Sequence, residues 1–133
     1  GLCERFISLT KHHLIPRSTW NKMMPRLQNS ADFLEHHRED KARTVLGHDL
    51  EHLLEPLKRI NQSQETKRKS IKRIILQISC DICRPCHSQI HRAHDNWTLA
   101  QHYSTVGLLL KDESIYKFCQ WASKQRPGKY AVK

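Results

Sequence analysis

His12-His13 and the distant stretch Cys83-Arg84-Pro85-Cys86-His87-Ser88-Gln89-Ile90-His91 hold the side chains of this chain best suited to chemistry. Imidazole and thiolate are the usual protein ligands of zinc and related divalent cations. His87 and His91 are four apart, so on a helix they share one face and can bind the same ion. Two adjacent histidines at a strand end divide their labour, because alternate side chains point opposite ways. One can ligate a metal while its neighbour moves a proton to or from water. Together these groups suggest metal-assisted phosphodiester chemistry, provided the fold brings the two clusters together.

The elements that must position them are legible in outline. Phe6-Ile7-Ser8-Leu9-Thr10 predicts a strand running into the histidine pair, and Pro16 disfavours helix at Ile15 and ends it. Residues 17–32 read as a loop with one helical turn. Ser30 is then a candidate cap for a helix with apolar positions from Phe33 to Leu57, weakened or kinked at Gly47 and Pro56. A polar linker, 61–66, leads to Lys67-Arg68-Lys69-Ser70-Ile71-Lys72-Arg73, five cations in seven residues. The β-branched run Ile74–Ser79 predicts a second strand, followed by a turn at Cys83–Cys86 and a helix over 87–94. Asp95 or Asn96 should cap a further helix reaching Leu110. Ser114 should open a last one that stops before Pro127.

The chain of 133 residues carries a formal charge of +10, with ten histidines uncounted. That length suits one domain with a modest core. The charge points to a polyanionic partner, nucleic acid first and an anionic membrane surface second. No stretch approaches the roughly 18 apolar residues a membrane span requires, so membrane insertion is not expected. Five cysteines, three of them at 80, 83 and 86, make a poor disulfide framework and a good metal-binding one. Thiolate ligands favour a reducing, intracellular compartment, with the mitochondrial matrix or the nucleus both compatible. The first residue is Gly1, which reads as a processed product or a fragment.

The segments LCERFISLTKHHLIPRS and CRPCHSQIHRAHDNWTLAQHYSTVGLLLKDESIYKFCQWASKQRP closely resemble HNH endonucleases of the His-Me finger (ββα-metal) superfamily, over about residues 1–29 and 74–127. The resemblance implies an α+β fold in one domain. Its parts would be a ββα-metal core at about 1–29 and 74–94 with a zinc knuckle, a helical insertion at about 30–73 and C-terminal helices at about 95–126. By the same resemblance His13 is the general base and His12, His87 and His91 bind the catalytic ion, Mg²⁺, Mn²⁺ or Zn²⁺. Arg84 and Arg92 would meet phosphates, and Lys67, Arg68, Lys69, Lys72 and Arg73 could grip a nucleic-acid backbone. Cys3, Cys83 and Cys86 would hold structural Zn²⁺. The fourth ligand would stand immediately upstream of Gly1, unless Cys80 takes its place.

One position departs from the pattern. The family's central Asn, which braces the loop aiming the base, falls at Ile78. Two functions are therefore expected. The first is a metal-dependent nuclease acting on DNA or RNA. The second is an inactive zinc-binding subunit that sits on nucleic acid inside a ribonucleoprotein or other assembly, with protein partners docking on the insertion. His36, His37, His48 and His52 are expected to be solvated helix histidines. Cys119, Trp97, Tyr103 and Trp121 are expected in the core.

Overall fold

The computed structural model describes residues 9–60 and 66–124. It is a mostly helical α+β structure with a single two-stranded sheet among the described residues. Strand β1 (Leu9–His13) pairs antiparallel with β2 (Ser79–Cys83), with His12 opposite Cys80 and Leu9 opposite Cys83. Between them lie helices α1 (Trp20–Glu35), α2 (Glu39–Leu46), α3 (Leu54–Arg59) and α4 (Lys67–Gln77). After β2 the chain turns at once into α5 (Arg84–Ala93), followed by α6 (Asn96–His102), α7 (Val106–Lys111) and α8 (Glu113–Ser123).

Two predicted elements are overturned. The second strand was expected over Ile74–Ser79, but Ile74, Ile75 and Leu76 belong to α4 and the strand starts at Ser79. Thr66 caps α4 by accepting the Lys69 N–H, and the helical spacing of Ile71 and Ile75 buries both. A helical stripe anchored by a cap outweighs the strand preference of a short isoleucine-rich run. The stretch 17–32, expected as loop, is mainly α1 with Pro25 inside it. Met23, Met24, Leu27, Ala31 and Leu34 repeat at helical spacing, and their burial outweighs the one donor missing at exposed Pro25. Ser30 is no cap: it donates from Oγ to the Ala42 carbonyl at 3.2 Å, fastening α1 to α2.

The expected long helix from Ser30 is broken where its sequence is weakest. It gives way at His37 (φ 57°) and again at Gly47 (φ 84°), the latter a left-handed position suited to glycine. The predicted helix from Asp95 to Leu110 is likewise two, because Thr105 recaps the chain by accepting the Leu108 N–H at 3.0 Å. Asp95 caps α6 as expected, while Asp112 rather than Ser114 caps α8. Trp97 packs on the core, but Trp121 is 42 % exposed and leans on Phe118.

The apolar side chains form two clusters. One joins α1 to α4 through residues such as Met24, Leu27, Leu57, Ile71 and Ile75. The other gathers Ile82, Cys83, Cys86 and Ile90 with Leu99, Leu109, Ile115 and Cys119. Ile78 touches both, so the residue between α4 and β2 is a hinge of packing between them. No described helix is long and apolar enough to cross a membrane.

Candidate metal centre

Antiparallel pairing puts Thr10, His12, Cys80 and Ile82 on one face of the sheet. That face meets α5: Thr10 Oγ1 lies 2.9 Å from His87 Nδ1 and donates to the Ile82 carbonyl at 3.2 Å. The hydroxyl thereby fixes the orientation of the His87 ring. One turn on, His91 faces the same way. The ring centroids of His12, His87 and His91 are 5.0 to 5.4 Å apart. One nitrogen from each lies within 4.8 Å of the other two, and among the described residues this is the group placed to hold a cation. His12, on a strand, and the His87/His91 pair, on a helix, are thus brought together.

Burial sharpens the point. His12 is 1 % exposed, and neither of its ring nitrogens has a hydrogen-bond partner. Each such orphan costs about 1–3 kcal/mol unless something binds it. Burial, then the charges that His87, His91 and His13 would carry, lower the His12 pKa to about 4. Burial and the neighbouring His91 and His13 lower that of His87 also. Both rings are therefore neutral near pH 7, the form that donates a lone pair to a metal. The residues present fit a divalent ion.

His87 and His91 open on a cleft of about 410 Å³ shared with Thr10, Arg84 and Ser88. Arg84 thus lies beside the imidazoles, while Arg92, exposed on α5, is bonded to Gln89 at 3.2 Å. His13 is on the opposite strand face from His12 and does not line this cleft. Its ring makes an edge contact with Trp20, centroids 6.4 Å apart, and its Nδ1 is buried without a partner. The loop after His13 is firmly held. Leu14 N–H donates to the Ile78 carbonyl at 3.1 Å, the Trp20 indole to the Ile15 carbonyl at 2.7 Å, and Thr19 Oγ1 to the Pro16 carbonyl at 2.6 Å. None of these three ties was legible in sequence, since each depends on a backbone carbonyl.

Behind the cleft, Cys83 ends β2 and Cys86 sits in the first turn of α5, both wholly buried. Cys86 Sγ is 3.4 Å from Cys119 Sγ on α8. Contact with Cys119, then burial, push the Cys86 thiol up, so it keeps its proton in the metal-free protein. The expected ligand Cys3 lies outside the described residues. Cys80 is on the His12 face of the sheet, opposite to that of Cys83.

The basic run is less exposed to a partner than its composition suggests. Lys67 is ion-paired with Asp32 and Glu35, and Arg68 donates to Asn21 at 2.9 Å, so both lock α4 to α1. Lys69 and Lys72 are exposed. Arg73 lines a separate cavity of about 340 Å³ with Arg59, Ser70 and Gln77. His36, His37 and His48 are exposed, in keeping with solvated histidines, whereas His52 Nε2 lies 3.2 Å from the hydroxyl of buried Ser104 and burial lowers its pKa.

Fold and site together define a helix-rich α+β protein with a three-imidazole cluster competent to bind a metal. No protein-family model matches the chain, and no solved structure does. A 48-residue stretch is 38 % identical to the uncharacterized protein YisB of Bacillus subtilis (strain 168). The stretch is 36 % of this chain and 48 % of that protein, so about half the length of this curated relative is covered.

Proposed function

We propose that the protein is an HNH-type, metal-dependent nuclease, with β1, β2 and α5 as a ββα-metal core. The observation that carries this reading is His12, buried with both nitrogens unpartnered against His87 and His91. A folded protein bears such a cost where a ligand relieves it. His12, His87 and His91 would hold a divalent cation, which stabilises negative charge on a phosphodiester. His13 would take a proton from the attacking water. Arg84, at the cleft, would pair with a phosphate through its planar fork of donors. Thr10 keeps the His87 ring in place. Cys83 and Cys86 would hold zinc for structure, as two buried thiols flanking a helix start suit that ion.

The missing family Asn is partly offset. At position 78 the main-chain carbonyl, not a side chain, accepts the N–H of Leu14, the residue after His13. A second reading, an inactive subunit that binds nucleic acid within an assembly, is favoured by the position of His13 outside the cleft.

Plasmid DNA and RNA incubated with Mg²⁺, Mn²⁺ or Zn²⁺, with chelator, and with the His13→Ala variant separate the two. Metal-dependent cleavage lost in the variant supports the nuclease. Binding without cleavage, equal in both proteins, would overturn it in favour of the second reading.

A further inference from the structure

We propose that the cavity between α3 and α4 is an anion site, suited to a phosphate group that carries a body the size of one nucleoside. Arg59 reaches it from α3. Ser70, Arg73 and Gln77 reach it from α4, where spacings of three and four put them on one helix face. The polar lining is thus two guanidinium groups, a hydroxyl and an amide, and no Asp or Glu lines the cavity among the described residues.

Ser70 carries the argument. It is 6 % exposed, and its Oγ is buried without a hydrogen-bond partner. A serine inside a helix can relieve such a hydroxyl on the carbonyl four residues back. Here the Thr66 carbonyl accepts the Ser70 N–H at 3.0 Å, and the hydroxyl stays unpaired. A donor left in that state beside two arginines calls for an anionic oxygen, since the unmet hydroxyl is costly and charged acceptors make the strong bonds. Arg59 is exposed and makes no ion pair with a described residue. Its planar fork suits two phosphate oxygens, and the hydroxyl suits a third. Pro56, Ile60 and Ile74 give the same cavity apolar walls for the uncharged part of the ligand. Its volume of about 340 Å³ is near the lower end of ligand pockets, which suits one nucleotide and not a bulkier cofactor. The cavity shares no lining residue with the imidazole cleft, so the site needs no metal and does not depend on the nuclease reading.

The test titrates the full-length protein by calorimetry with adenosine monophosphate, adenosine, inorganic phosphate and a terminally phosphorylated single-stranded DNA. Chelator is present throughout, so that the imidazole cleft holds no ion. The monophosphate should bind more tightly than inorganic phosphate, and adenosine should not bind. Arg59→Gln and Ser70→Ala should each weaken the monophosphate about 10-fold or more, as expected for losing a hydrogen bond to a charged group. Without ligand, Ser70→Ala should melt at or above the parental temperature, because alanine removes the orphan hydroxyl and favours helix. That separates a lost ligand contact from a packing defect. Lys111→Gln, the same change of charge at an exposed position on α7, should bind as the parent does. Competition by the phosphorylated strand would assign the pocket to nucleic-acid ends, and its absence to free nucleotides; either supports a phosphate site. No binding of the monophosphate by the parent overturns the proposal. So does parental affinity in Arg59→Gln or in Ser70→Ala, or an equal loss in Lys111→Gln.

Discussion

The imidazole cluster and the thiol cluster share one helix, α5, and treat water in opposite ways. His87 and His91 open on a cleft, and buried His12 has no partner for either nitrogen. Cys83 and Cys86 are wholly buried, and Cys86 meets Cys119 on α8. On the function proposed above, the difference would separate two uses of a metal. An ion reached from a cleft can touch a substrate, whereas an ion sealed in a core can only hold elements together. Helical spacing explains how one element serves both, since Cys86 and Ile90 share the buried face while His87 and His91 share the next.

If that division is right, removing a ligand should cost stability on one side and activity on the other. The largest expected effect is Cys86→Ala. Structural zinc in small zinc domains is worth on the order of 10 kcal/mol of folding free energy. The variant should lose cooperative thermal unfolding and the near-ultraviolet signal of Tyr103 and Trp121. A native-like melting curve would dismiss the structural role. His87→Ala should do the reverse. It should melt near the parental temperature yet lose about 10³-fold in cleavage rate, roughly 4 kcal/mol. Equal activity of the two proteins would remove the cleft from the chemistry.

How much of this the sequence disclosed follows from the kind of signal involved. The histidine pair, the His87/His91 spacing and the Cys83/Cys86 spacing are local patterns of side-chain type, and His12, His87 and His91 are indeed brought together. What escaped depended on tertiary context. The pattern Ile71, Ile74, Ile75 and Ile78 reads equally as a β-branched strand or as a helical stripe, and burial on α1 and α3 decides for the helix. Met23, Met24 and Leu27 were hidden by Pro25 and Asn29, residues that usually punctuate loops. Cys119 is the core residue expected, but its contact with Cys86 was hidden, because nothing in a linear chain announces that α8 lies on α5.

His12 gives a smaller effect of unusual sign. Replacing it with leucine removes two unpartnered buried nitrogens, so the metal-free protein should gain about 1–3 kcal/mol for each near pH 7 while losing a candidate metal ligand. The pH dependence sharpens this. The unfolded ring titrates near 6.5 and the folded one at about 4, so the unfolded chain binds the extra proton first. Stability from the neutral ring is complete above pH 6.5 and drains away as pH falls to 4, by about 3 kcal/mol in all. Metal-free parent protein should show that loss in urea melts across the window, and His12→Leu should show much less of it. Identical slopes would mean that His12 is not held neutral in the folded state.

The smallest effect concerns the frame of the sealed side. Asp112 accepts the Ile115 N–H at 3.0 Å to start α8, and its carboxylate meets His94 at 2.5 Å and the Ser114 hydroxyl at 2.7 Å. Burial would raise its pKa, but these bonds outweigh burial and hold it at about 2. Asp112→Ala should cost about 1–2 kcal/mol through the lost cap, while Asp112→Asn, which still caps, should cost less. The effect reaches the thiols because Cys119 lies two turns along the same helix. Fraying at Asp112 should therefore speed hydrogen exchange in α8 while leaving exchange at His12 and Thr10 unchanged. Equal acceleration on both sides would show that the cleft and the sealed cluster unfold as one unit.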